Sequence, residues 1–185
     1  MENKIRWLLQ KDVKSILEIQ NSCPYSPNWS KKYYIDIVKS KKNSEAKNML
    51  VSYVCEVENN LVGYVVYKVG LASAKNEEFF AENTSIISKS PVFYGKITNL
   101  CVHPDYRMQG IGRSLIEFVI KKFSDVKDLT TEVPSVRPFI LFTSLSDRDL
   151  GSHLFYSKMG FLGKNVSCDL FGKDHDGYSF YLSRM

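Results

Sequence analysis

No two cysteines in this 185-residue chain stand close enough to form a C-x-x-C pair: Cys23, Cys55, Cys101 and Cys168 are far apart. The three histidines, His103, His153 and His175, are equally scattered. That spacing argues against a metal site and leaves reduced thiols in a cytoplasmic protein as the expectation. Long apolar runs are missing too. The N-terminus "MENKIRWLLQKD" lacks the apolar core of a signal peptide, and no stretch reaches the length of a membrane-spanning helix. Strong charge is also lacking. The net charge of +5 is spread along the chain, apart from small clusters such as "KSKK" at Lys39–Lys42. No basic stripe interleaves with aromatics, so a nucleic-acid partner is not expected. What remains is ordinary: 44% hydrophobic and 24% charged residues, enough for one domain, 1–185, with a real core.

Periodicity divides that domain. "IRWLL" (Ile5–Leu9) reads as a strand, and "KDVKSILEIQNS" as a helix with Val13, Ile16, Leu17 and Ile19 at helical spacing. "CPYSPNW" is a proline-broken turn, and Ser30 is placed to cap a second helix, "KKYYIDIVKS". "SYVCEV" and "LVGYVVYKVG" around "ENN" predict a hairpin. Leu71–Pro91 is polar and without alternation; it reads as an insertion between strands 3 and 4, with one helical turn around Glu77–Glu82. "VFYGKITNLCV" (Val92–Val102) is a strand long enough to bend or bulge. "GRSLIEFVIKKF" is an amphipathic helix with Leu115, Ile116, Val119 and Phe123 on one side. "FILF" (Phe139–Phe142) is a short buried strand, parallel to its predecessor because a helix intervenes. "DLGSHLFYSKMG" is a helix carrying Leu150, Leu154 and Met159 and closed by Gly160. "FLGKNVSC" and "YSFYLSR" form a terminal hairpin. This order, βα, α, ββ, βαβα, ββ, is that of an α/β domain with a mixed sheet.

The chemistry concentrates in "YRMQGIGRS", Tyr106–Ser114. Gly110 and Gly112 remove side chains where a backbone approaches a ligand. A helix starting at about Gly112 leaves free N–H groups from Met108 to Ser114, and its dipole favours negative charge. Arg107 adds a cation. The spacing is neither that of a nucleotide-triphosphate loop nor that of the dinucleotide fingerprint. On the glycines alone, a tight strand-to-helix turn and a phosphate site stand equal.

The flanks carry a resemblance. V-x-P-x-x-R-x-x-G-x-G is met by Val102, Pro104, Arg107, Gly110 and Gly112. It resembles the pyrophosphate-binding motif of the GNAT superfamily of acetyl-CoA-dependent N-acetyltransferases. Downstream, Asp149, Ser152, Phe155, Tyr156, Lys158, Gly160 and Phe161 fall on that family's N-x-x-A-x-x-L-Y-x-K-x-G-F. Tyr156, Lys158, Gly160 and Phe161 match, while Asp149 and Ser152 depart from it. The resemblance implies a single-domain GNAT-like α/β fold: a mixed, mostly antiparallel sheet, split between strands 4 and 5, with helices on both faces.

It further implies acetyl-CoA as cofactor. The pyrophosphate falls on the amides of Met108, Gln109, Gly110, Ile111, Gly112 and Arg113, with Ser114 nearby. Leu100, Cys101 and Val102 line the pantetheine arm, and Asp149 and Ser152 join the cofactor site by position. The Val102 N–H faces the thioester carbonyl, where acyl transfer builds negative charge that a fixed amide stabilises. Tyr156 is the general acid, a phenol of pKa about 10 able to donate to sulfur. No carboxylate lies on the fourth or fifth strand to act as base. Asn99, Thr143 and Ser144 could order a water, or Glu77, Glu78 or Glu82 could fold over the site.

The acceptor is a primary amine, on a small molecule or at a protein N-terminus. "NWSKKYY" and "TNLCVHPDYRMQGIGRSLIE" look similar to the bacterial ribosomal-protein alanine N-acetyltransferases, which acetylate an α-amine. Their glutamate on the fifth strand aligns with Ser144. The alternative is an acyl-CoA-binding sensor without catalysis. Either would be a monomer or, through apolar rings such as Phe79 and Phe80, a homodimer.

Overall fold

The computed structural model describes residues 3–40, 49–72, 92–124 and 139–184. Its elements follow the expected order. They are β1 (Lys4–Trp7), a 3-10 turn (Gln10–Asp12), α1 (Val13–Asn21), α2 (Lys31–Ser40), β2 (Met49–Val57), β3 (Asn60–Ala72) and β4 (Val92–Val102). A second 3-10 turn (Pro104–Tyr106), α3 (Ile111–Ser124), β5 (Phe139–Ser146), α4 (Leu150–Lys158), β6 (Leu162–Ser167) and β7 (Gly177–Arg184) follow. Leu71 and Ala72, placed in the insertion by sequence, instead end β3, paired with Phe93 and Val92. The rest of the expected insertion, with Glu77, Glu78, Phe79, Phe80 and Glu82, lies outside the described residues.

The strands form one seven-stranded sheet in the order β1-β2-β3-β4-β5-β7-β6. Every neighbouring pair is antiparallel except β4 and β5. The β2–β3 hairpin turns on Glu58 and Asn59, both at positive φ (50° and 65°). Two such residues make the turn whose twist suits paired strands, and asparagine tolerates that conformation better than most.

Alternation along the strands builds two cores. On one face Val51, Tyr53, Val65, Tyr67, Ile97, Leu141 and Phe139 pack against Ile111, Leu115, Ile116, Val119 and Phe123 of α3. On the other, Val54, Tyr64, Val66 and Cys101 pack against Leu8, Val13, Ile16 and Ile19 and against Tyr34 and Ile37 of α2. Helix α4 differs from its sequence reading. Leu150 and Leu154 are 67% and 63% exposed, because the helix turns Tyr156 inward instead. Its end follows the expectation: Gly160, at φ 86°, lets Phe161 N–H donate to Tyr156 O (3.0 Å) and Gly160 N–H to Ser157 O (3.0 Å). This left-handed cap brings the Phe161 ring edge-on to Tyr156, centroids 5.1 Å apart, and fixes the tyrosine from behind.

Among the described residues, no helix is long and apolar enough to cross a membrane. Nor does any group of three histidine, cysteine or carboxylate side chains stand where it could hold a metal.

Candidate active site

Strands β4 and β5 pair only from Phe93–Phe139 to Ile97–Thr143. Beyond that rung they splay. A bulge starts the divergence: Val66 faces Asn99 and Tyr67 faces Ile97, so Thr98 is the extra residue, its hydroxyl donating to Val66 O (3.0 Å). Bulges bend the strand that carries them. Thr143 Oγ1 donates to Ile97 O (3.1 Å) and closes the last rung. The opened wedge is a cavity of about 970 Å³ lined from both strands, from the α1–α2 loop and from α4.

The ladder sets which backbone groups face the wedge. His103 N–H donates to Val62 O (2.8 Å), so Val62 and His103 form a hydrogen-bonded pair. Gly63–Val102 and, two residues on, Val65–Leu100 are therefore the alternate pairs. Their N–H and C=O groups point away from the partner strand. The N–H groups of Leu100 and Val102 are thus turned from β3 toward the wedge. Sequence reasoning named only Val102; the alternation gives Leu100 the same orientation.

The glycine loop ends at the wedge mouth. Helix α3 begins at Ile111, one residue before the expected start. Met108 and Gly110 are both at positive φ (60° and 81°), and Met108 is 100% exposed. Among the described residues the amides of Met108, Gln109 and Gly110 have no hydrogen-bond partner, while Ser114 N–H already donates to Gly110 O (2.9 Å). Ile111, Gly112 and Arg113 form the first turn of α3, whose N–H groups have no helical acceptor. The structure separates the two glycines. A Cβ on Gly110 would project into open space, where a ligand would approach. One on Gly112 would meet Phe155 and Val102 at 3.4–3.8 Å, ordinary van der Waals contact, so that position faces packed protein rather than open space.

Arg107 lines the cavity. Its guanidinium donates to Val102 O (3.1 Å) and Ser22 O (3.2 Å) and approaches Cys23 Sγ (3.5 Å). Its charge lies along the cavity wall and ties the end of α1 to β4. Asp149 caps α4, accepting from Ser152 N (3.1 Å) and Ser152 Oγ (2.5 Å). Both line the cavity while satisfying each other.

Tyr156 is 3% exposed and borders the cavity, its ring also edge-on to Phe155 at 5.1 Å. Burial pushes its phenol pKa up, and the Thr143 hydroxyl acts the other way. The phenol stays protonated at neutral pH.

Across the strand, Asn99, Cys101 and Ser26 belong to a polar chain that sequence reasoning missed. Asn99 Nδ2 donates to Tyr64 Oη and Ser26 Oγ, both at 2.9 Å. Tyr64 and Tyr34 share a hydrogen bond of 3.0 Å, and Tyr34 donates to Gln20 Oε1 (2.7 Å). Cys101 Sγ contacts Asn99 Oδ1 at 3.2 Å. These residues come from α1, the α1–α2 loop, α2, β3 and β4. Sequence reasoning named Asn99 and Cys101 singly and "CPYSP" as a turn, with nothing to link them to one another or to the tyrosines. Ser144 lines the cavity, half-buried, as the base position implied; no carboxylate stands there.

The comparisons agree with this geometry. A sequence model of the acetyltransferase (GNAT) domain matches residues 50–162, which hold β2 to α4. The chain belongs to the GNAT acetyltransferase family. Two similar solved structures are of Arabidopsis thaliana NAA60. One, with a bisubstrate analogue, has a TM-score of 0.75 at 17% identity, covering 98% of each chain. The other, with acetyl-CoA, has a TM-score of 0.74 at 18% identity and the same coverage. The ribosomal-protein-S18-alanine N-acetyltransferase of Escherichia coli has a TM-score of 0.64 at 15% identity, covering 98% of this chain and 94% of its own. No curated protein matches by sequence. The family takes its acetyl group from acetyl-CoA, and the wedge, the unpaired amides and the open space at Gly110 fit that cofactor.

Proposed function

We propose that this GNAT acetyltransferase acetylates a primary amine, and that its acceptor is the α-amine of a protein N-terminus. The observation that carries the reading is the wedge itself: pairing of β4 and β5 stops at Ile97–Thr143, between a protonated, buried Tyr156 and a loop of unpaired amides. When bound, acetyl-CoA supplies a thioester-activated acetyl group. Met108, Gln109, Gly110, Ile111, Gly112 and Arg113 would hold its pyrophosphate by their amides. The Leu100 and Val102 N–H groups would orient the acyl carbonyl and offset negative charge building on its oxygen. Tyr156 would hold a proton against the departing sulfur. The N-terminal acceptor is supported by the company this fold keeps, which includes Arabidopsis thaliana Naa50 with the bisubstrate analogue CoA-Ac-MVNAL.

Incubation with acetyl-CoA and a mixed library of peptides and small amines, with thiol release and product masses followed together, tests this. Peptides acetylated at the α-nitrogen are expected, with turnover falling about 10²-fold or more in Tyr156→Phe. Turnover of small amines alone would overturn the acceptor assignment. Cofactor binding without turnover would leave the sensor reading.

A further inference from the structure

We propose that Asn99 Oδ1, with Ser26 Oγ beside it, receives an N–H of the incoming amine, and that Gln20, Tyr34 and Tyr64 are positioning residues that fix the Asn99 amide for it. This deepens the acetyltransferase reading above. It rests on the acceptor being an amine, not on that amine belonging to a peptide.

The argument starts at a backbone group. The Trp29 peptide donates only from its nitrogen and accepts only at its oxygen, so it tells the two ends of the Gln20 amide apart. Gln20 Nε2 donates to Trp29 O (3.1 Å), and Trp29 N–H donates to Gln20 Oε1 (3.3 Å). Gln20 Oε1 can only accept, so the Tyr34 hydroxyl gives its one proton to it (2.7 Å). Tyr64, 3.0 Å from Tyr34, is then the donor of that pair. With its own proton so placed, Tyr64 Oη can only accept, and Asn99 Nδ2 donates to it (2.9 Å). The other Nδ2 hydrogen goes to Ser26 Oγ, also at 2.9 Å. Each step leaves one choice, so the direction set at Trp29 reaches β4.

The result is a corner of oxygen atoms. Both Asn99 N–H groups are bound within the protein, and Oδ1 is what remains. Cys101 Sγ, 3.2 Å away, takes one of its lone pairs. The Ser26 hydroxyl lies 3.3 Å from Oδ1 and 3.4 Å from Pro27 O, both long for a hydroxyl donor, so the second lone pair is lightly held. Asn99 and Ser26 line the wedge, while Gln20, Tyr34 and Tyr64 are buried behind them. Apolar side chains of the same shapes would stabilise this layer about as well. What the polar chain adds is a fixed direction.

Other polar groups on the cavity wall suit an N–H less well. Lys96, Arg107 and Arg148 are cations that donate. Both Asp149 oxygens are held by Ser152, and Cys23 Sγ donates to Val102 O (3.9 Å). Tyr25 is 51% exposed, and Ser144 and His175 stand on β5 and the β6–β7 loop, outside this chain of bonds. An amine held by one N–H at the Asn99 corner keeps its lone pair free for the acyl carbon.

Steady-state kinetics test the assignment, run at saturating acetyl-CoA on whichever amine the wild type acetylates best and well below each variant's melting temperature. Asn99→Leu should lower kcat/KM for the amine about tenfold or more, with calorimetric affinity for coenzyme A unchanged. Tyr34 does not line the cavity, yet Tyr34→Phe should give a loss of the same kind. Tyr64 is then free to turn its proton toward Asn99, and the amide to reverse. The double variant should lose no more than Asn99→Leu alone, because Tyr34 acts through Asn99. Asn99→Ser, too short to reach the amine, takes the place of Asn99→Leu in both arms where leucine does not fold. Full activity in Tyr34→Phe or in the Asn99 variant would overturn the assignment and leave the acetyltransferase reading intact. So would losses that multiply in the double variant. A wild type that acetylates no amine would overturn both together.

Discussion

The two faces of β4 solve the same burial problem with different chemistry. Toward α3, Ile97, Leu100 and Val102 meet Ile111, Leu115 and Ile116 in a dry, apolar layer. Toward α1 and α2, Asn99 and Cys101 meet Ser26, Tyr64, Tyr34 and Gln20 through hydrogen bonds. An apolar layer is non-directional and tolerates small shifts, so it sets stability. A buried polar chain is stable only when every member is satisfied, so it sets position. The face that positions also borders the cavity, through Ser26, Asn99 and Cys101.

Substitutions can break this contrast. The largest effect is expected on the dry face. Leu115→Ala removes a fully buried side chain and should cost about 2–5 kcal/mol in denaturant unfolding, with no specific effect on the pH profile of surviving activity. On the wet face, Tyr64→Phe keeps the ring but strips Asn99 Nδ2 of one acceptor and Tyr34 of one of its two partners. It should cost about 1–3 kcal/mol. It should also lower kcat by loosening Asn99 and Cys101; an unchanged kcat would mean the network is structural only.

The smallest effect lies farther along that face, where Lys96 lines the cavity near the Phe142 ring, 5.8 Å from its centroid. Burial, and then Lys68 across the β3–β4 ladder, hold its pKa below the ordinary lysine value. Both folded and unfolded chains carry the charge at neutral pH, and only the folded one bears the penalty. As pH rises through the lowered pKa the folded state sheds the proton first and the penalty fades. Lys96→Met should therefore raise the melting temperature at neutral pH by about 1 °C, a gain that shrinks at alkaline pH.

Much of the fold was legible because it rests on local signals. The Glu58–Asn59 turn, the parallel β4–β5 pair, the terminal hairpin and the Gly160 cap follow from turn residues, element order and period. Helix α4 was misread at Leu150 and Leu154 because two apolar residues at helical spacing do not say which side meets the sheet; the left-handed cap and Tyr156 decide that. In the site, the backbone parts were legible. Unpaired amides at a helix start follow from "RMQGIG", and Tyr156 follows from "FYSKMGF". The side-chain parts were not. The contacts of Arg107 to Val102 O and Ser22 O had no sequence signal, and Gly112 reads like Gly110 until a Cβ is placed on each.

The sequence by itself determined the family, the order of the elements and the loop that offers its amides, because each is a matter of residue type at short spacing. Only the tertiary structure decided which distant side chains line the wedge together with Tyr156. Cys23 reaches Val102 from 79 positions away, and the Cys101 thiol and then the Arg107 charge act to lower its pKa against burial. A charge environment is a sum over neighbours in space, and no local spacing encodes it.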